Sequence, residues 1–133
     1  MPKTLVYAIH GFLGRSSDWD KVKNQLSPVD FVAENLFLPD SETDLFQKVG
    51  SFKSYHGKKI FMGYSLGGRL GLHILKKTPE VFDQYIFLST NPGLPQSATE
   101  ERQKRILNDK TWSEKITFEN WKSFLKEWNS QSI

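Results

Sequence analysis

A serine bracketed by glycines, between a short apolar run and an amphipathic segment, limits what this chain can fold into more than any other feature. Lys59-Ile60-Phe61-Met62 enters Gly63-Tyr64-Ser65-Leu66-Gly67, which leaves through Gly68-Arg69 into a segment running to Lys77 and stopped by Pro79. A Gly-x-Ser-x-Gly pentapeptide fixes only three positions, so alone it also describes an ordinary glycine-rich turn. The flanks supply the meaning, because strand, tight turn and helix in that order form a nucleophile elbow. Gly63 and Gly67 let strand and helix approach closely. The turn then lifts the Ser65 hydroxyl to the carboxyl end of the strand, where a helix N-terminus offers N–H groups.

The rest of the chain supplies a setting for that turn. Thr4 to Ile9 is a continuous apolar run rich in β-formers, as in a strand covered on both faces. The loop His10-Gly11-Phe12-Leu13-Gly14 follows, then a helix with Ser17 as its cap, Asp20 three residues on, and Trp19, Val22 and Leu26 on one face. Phe31 to Leu38 reads as a second strand closed by Pro39-Asp40. Leu45, Phe46, Val49 and Phe52 form a helical stripe, and Tyr55-His56-Gly57 turns into the elbow strand. Gln84 to Ser89 is a fourth strand, followed by the loop Asn91-Pro92-Gly93-Leu94-Pro95. Strands alternating with helices predict an α/β fold, a parallel sheet flanked by helices. From residue 97 the pattern becomes helical, so we place a core at 1–96 and a helical cap segment at 97–133. Ser97-Ala98-Thr99-Glu100 reads as a capping box opening a polar helix from Thr99 to Leu107. A second helix carries Phe118, Trp121, Phe124, Leu125 and Trp128 on one stripe.

Composition narrows the function classes. With 133 residues, 38% hydrophobic and 25% charged, the chain is long enough for one buried core. A net charge of +3 suits anionic ligands, but no basic run marks a nucleic-acid partner. Cysteine is absent, which excludes disulfides and thiolate metal sites. No His/Asp/Glu cluster has metal-ligand spacing, and no Gly-x-Gly-x-x-Gly follows the first strand, so neither metal nor nucleotide cofactor is expected. The apolar run at Leu5 to Ile9 is too short for a signal peptide or a membrane span, and a cytoplasmic address is expected.

His10-Gly11-Phe12, the Gly63-to-Arg69 elbow and Asn91-Pro92-Gly93-Leu94 together resemble the α/β-hydrolases. With Glu101-Arg102-Gln103 and the Phe124-to-Trp128 helix they are most similar to the menaquinone-pathway 2-succinyl-6-hydroxy-2,4-cyclohexadiene-1-carboxylate synthases, matching the N-terminal half to three-fifths of such a protein. The resemblance implies elimination of pyruvate from a cyclohexene bearing several carboxylates. Ser65 is then the base, and the backbone N–H groups of Leu66 and Phe12 form the oxyanion hole. Arg69, one helical turn past Ser65, and Arg102, from the cap, clamp substrate carboxylates. Tyr64 and Trp128 line the pocket. Each has a plainer reading: Arg69 and Arg102 on solvated helix faces, and Trp128, on periodicity alone, in the core of the cap.

The chain departs from the superfamily in its general base. The triad order is serine, acid, histidine. After Ser65 the one histidine is His73, eight residues up the same segment and therefore ~12 Å away. His56 precedes the elbow strand, and His10 sits in the oxyanion loop, where its part is architectural. Glu100, Glu101, Asp109, Glu114, Glu119 and Glu127 all fall in the cap. The missing strands also leave Gln84–Ser89 with an apolar edge open to a complementing C-terminal segment or to self-association. Three function classes remain: the carbon–oxygen lyase, a serine esterase, and an inactive fold remnant that binds without turnover.

Overall fold

The computed structural model describes residues 1–36 and 45–131. These form two compact units, Met1–Pro92 and Gly93–Ile133. In the first, four strands make one sheet: β1 (Thr4–Ile9), β2 (Val29–Glu34), β3 (Lys59–Tyr64) and β4 (Gln84–Leu88). All pairs are parallel and the order is β2-β1-β3-β4, so the apolar first strand lies inside the sheet, as its continuous run predicts. Between strands lie α1 (Asp20–Gln25), α2 (Leu45–Ser51) and α3 (Leu66–Lys77).

The two-residue period of β1 and β3 sorts the core into two faces. Tyr7, Ile9 and Phe61 point to one face and pack with Val49 of α2, Leu70 and Ile74 of α3, and Val81 and Phe82. Phe61 is central there, with ring centroids 5.7 Å from Phe82 and 5.5 Å from Tyr85. Val6, Ala8 and Met62 point the other way, under Trp19 and Val22.

Several local expectations need correction. The helix after β1 begins as a 3-10 turn, Ser16–Trp19, before α1. Its entry is fixed by Asp18, whose Oδ2 accepts the Arg15 N–H at 3.1 Å, and Ser17 makes no cap. Trp19 is buried, but Leu26 ends up exposed. The second strand starts at Val29, two residues early, and ends at Glu34; Leu38, Pro39 and Asp40 lie outside the described residues. Every residue of β2 is only partly buried, which weakens the pattern that would set its ends.

The second unit holds α4 (Thr99–Glu114) and α5 (Trp121–Asn129). Helix α4 runs past its expected end at Leu107, because the stretch from Asn108 to Glu114 contains neither glycine nor proline to break it. Packing also holds the extension in place. Trp112 meets Phe124 and Trp128 of α5 edge-on, with centroids 6.0 and 5.1 Å away. The residue before α4 is Ala98, with no side-chain cap bond, so the expected Ser97 capping box does not form. Helix α5 starts at Trp121, which leaves Phe118 outside it and fully exposed.

Helix α3 sits against β1 and β3 through glycines. A Cβ on Gly63 would lie 2.6 Å from the Cα of Gly68, and one on Gly67 would collide with the backbone carbonyl of Ile9. Backbone cannot yield as a flexible side chain can. Gly67→Ala should therefore destabilise the fold by more than ~3 kcal/mol in urea denaturation. Gly50→Ala, in α2 with nothing within 4 Å of the new methyl, should be neutral or stabilising by up to ~1 kcal/mol.

A second prediction concerns alkaline pH. The Tyr7 hydroxyl donates to Glu34 Oε2 at 2.8 Å, and Lys48 Nζ lies 2.7 Å from the same oxygen. Burial first, and then the Glu34 charge and hydrogen bond, push the Tyr7 hydroxyl far above the usual tyrosine range. The folded chain thus keeps a proton that the unfolded chain releases near pH ~10. Its stabilising contribution is complete below that pH and is lost as pH rises beyond it. Stability measured in urea should fall above pH ~10, and less steeply in Tyr7→Phe.

Candidate active site

Ser65 sits between β3 and α3 with φ 50° and ψ −112°, a left-handed backbone that a side-chain-bearing residue adopts only at a cost. Two hydrogen bonds hold it there. Its N–H donates to the Leu88 carbonyl at 2.9 Å, and its carbonyl accepts the Arg69 N–H at 3.1 Å. The serine is therefore at the carboxyl end of the sheet and at the N-terminus of α3, where Leu66 and the residues after it begin the helix. Helix-start N–H groups have no intrahelical acceptor, and the helix dipole favours negative charge there.

The loop carrying Phe12 reaches the same end. β1 and β3 are neighbours in register, Ile9 opposite Gly63, so the segments leaving them emerge side by side. Their contact is close: a Cβ on Gly11 would lie 2.9 Å from Cδ1 of Tyr64. Gly14 N–H donates to the Gly11 carbonyl at 3.0 Å, and Leu13 takes φ 62°, which folds the loop back. His10 is buried and shapes it from below. Its Nε2 accepts the Leu36 N–H at 3.0 Å, which puts the ring proton on Nδ1, 2.7 Å from the Gly11 carbonyl. Both ring nitrogens are thus occupied in structure.

Arg69 is half-buried one turn along α3. Its Nε–H donates to the Asn91 carbonyl at 2.8 Å, which fixes the guanidinium and leaves its Nη pair as the end-on edge for an oxyanion. The Asn91 anchor is invisible in the sequence, because a backbone acceptor carries no residue signature. In the second unit, Arg102 lies exposed on α4, and its Nη1 donates to the Leu94 carbonyl at 3.0 Å. Trp128 is half-buried against Trp112 and stacks on Phe124 at 5.9 Å, as its apolar stripe implies.

Tyr64, 49% exposed, faces a cleft of about 260 Å³ together with His10, Gly11, Asp18, Trp19, Val22 and Leu88. The sequence marks Trp19 only as a core residue of the first helix and gives Asp18 no role. The remaining histidines are distant from the elbow. His73 is exposed on α3, eight residues and so ~12 Å from Ser65, and His56 lies before the opposite end of β3. Among the described residues, no group of three or more His, Cys, Asp or Glu could hold a metal ion.

No protein-family profile matches the chain. It is 28% identical over 138 residues to a putative 2-succinyl-6-hydroxy-2,4-cyclohexadiene-1-carboxylate synthase of Haemophilus influenzae, covering 94% of this chain and 56% of that protein. Synthases of the same name from an Enterobacter species (28%) and, as a putative assignment, Bacillus subtilis (26%) match 94% of the chain and 52% and 50% of their own lengths. The MenH structure from S. aureus superposes with a TM-score of 0.77 at 19% identity, over 98% of this chain and 53% of that one. The chain spans about half the length of the curated relatives it matches. It thus has an α/β-hydrolase-type fold and resembles, in sequence, the 2-succinyl-6-hydroxy-2,4-cyclohexadiene-1-carboxylate synthases.

Proposed function

We propose that this chain is the serine-bearing, anion-binding part of a menaquinone-pathway lyase that eliminates pyruvate from a cyclohexene carrying several carboxylates. The observation that carries this reading is the left-handed Ser65 at the start of α3 with Arg69 anchored one turn beyond it. In the reaction, Ser65 Oγ removes a ring proton. The electron pair rests on the adjacent acyl oxygen as an enolate and then returns through the ring, forming a new carbon–carbon double bond as the carbon–oxygen bond to the pyruvyl group breaks; the departing enolate takes up a proton to become pyruvate. The N–H groups of Leu66 and Phe12 meet the charge on the acyl oxygen. Arg69 holds one carboxylate through its Nη pair, and Tyr64 lines the pocket. The positions of His10, His56 and His73 favour the view that the described histidines do not serve as a base for Ser65. An unassisted serine hydroxyl is a weak base near neutral pH, so turnover by residues 1–133 alone is low. No helix among the described residues is long and apolar enough to cross a membrane. The proposed setting is the cytoplasm.

A second reading, serine ester hydrolysis, draws on the cleft beside Tyr64, whose Trp19, Val22 and Leu88 walls suit an apolar acyl group. Two measurements separate the readings. For the lyase, calorimetry with a tricarboxylate should show affinity falling at least ~10-fold in Arg69→Ala, as expected for loss of a charge-assisted pair. Fluorophosphonate labelling of Ser65 should be weak. Strong labelling that Ser65→Ala abolishes, with tricarboxylate affinity unchanged in Arg69→Ala, would establish the esterase instead.

A further inference from the structure

The two main-chain anchors at the elbow, the carbonyls of Leu88 and Asn91, belong to one turn leaving β4, and Thr90 stands between them. Tyr64 pairs with Leu88 in the parallel register of β3 and β4, so Ser65 and Ser89 follow side by side. Both take left-handed backbones, with φ 50° and 47°. Neither is glycine, so each conformation carries a cost that neighbouring contacts must offset. In the turn after Ser89, the Thr90 Oγ1–H donates to the Leu88 carbonyl at 3.1 Å. The same oxygen accepts the Ser65 N–H at 2.9 Å. A carbonyl oxygen has two lone pairs and serves both donors.

The Thr90 side chain is also set against α3. A Cβ on Gly68 would lie 2.8 Å from Cβ and Cγ2 of Thr90 and would collide with its Oγ1. Glycine at position 68 thus gives the threonine a seat on the first turn of the helix, one residue before Arg69. From that seat Thr90 reaches both sides of the elbow. Its hydroxyl ties the turn to Leu88, and the next residue, Asn91, offers its carbonyl to the Arg69 Nε–H at 2.8 Å. Were the turn loose, that carbonyl would carry the guanidinium away with it.

We propose that Thr90 is a positioning residue of the anion site. By bonding the Leu88 carbonyl from its seat on Gly68, it fixes the Asn91 carbonyl and, through that, the Arg69 guanidinium beside Ser65. It acts through Arg69 and does not touch the anion. This role rests on the anion-binding reading of Arg69 given above. The requirement is the hydroxyl, which serine also carries, rather than the shape of threonine.

The test compares Thr90→Ala with Thr90→Ser in the full chain, because these two variants differ only in the hydroxyl. Thr90→Val, which fills the seat without a donor, should match alanine. Urea unfolding of each variant checks the fold. Solvent exchange of the Arg69 Nε–H, followed by NMR and assigned by its loss in Arg69→Ala, should be about fivefold faster in Thr90→Ala and Thr90→Val, the effect of one hydrogen bond, and unchanged in Thr90→Ser. Succinate affinity by calorimetry should fall about fivefold in the same two variants and recover in serine. In an Arg69→Ala background none of the three substitutions should alter it. Unchanged Nε–H exchange in a folded variant lacking the hydroxyl, serine behaving like alanine, or an affinity loss that persists without Arg69 would overturn the role of Thr90. Absence of succinate binding by the wild-type chain would instead defeat the anion-binding reading of Arg69, and the Nε–H exchange then decides for or against Thr90 by itself.

Discussion

The contact on which this structure turns is backbone against backbone, where the first turn of α3 lies on the ends of β1 and β3. Gly63 faces Gly68, and Gly67 faces the carbonyl of Ile9, at separations that leave no room for a methyl group. That approach holds the strand-to-helix turn so tight that Ser65 must take a left-handed conformation. The cost of that conformation is offset by packing elsewhere: Ile74 and Leu70 of α3 are pinned in the cluster around Phe61. Position and strain therefore have one origin.

The same contact organises the charges. An anion near Ser65 meets the N-terminal end of α3, and Arg69 follows one turn later because the helix begins immediately after the serine. The Asn91 carbonyl then removes much of the freedom of the Arg69 side chain. A guanidinium held in advance loses less entropy when it binds a carboxylate. Arg102 is held in an analogous way by the Leu94 carbonyl within its own unit. In each unit, then, a main-chain carbonyl serves as the anchor of an arginine.

Much of this is legible in the sequence, for identifiable reasons. The first strand and the elbow strand begin where their apolar runs predict, because both lie inside the sheet and are constrained on both faces. The second strand is displaced from its predicted place because its residues are all half-buried and carry no sharp period. The Ser17 cap does not form because Asp18 competes for the same turn and reaches the Arg15 N–H. Phe118 keeps a helical spacing without being in the helix, since periodicity records where a residue could lie and not whether the backbone continues. At the site, Ser65, Leu66 and Arg69 can be placed from spacing along one helix. Their anchors at Leu88 and Asn91 cannot, because those are main-chain acceptors distant in sequence.

The central claim is that the glycine turn presents the serine hydroxyl beside a fixed guanidinium at a helix start. A crystal structure of residues 1–133 with succinate bound tests it most directly. The account predicts Ser65 at positive φ and a succinate carboxylate within hydrogen-bond distance of both Ser65 Oγ and the Arg69 Nη atoms. Succinate bound elsewhere, or Ser65 in an ordinary helical conformation with Arg69 turned away from Asn91, would contradict it.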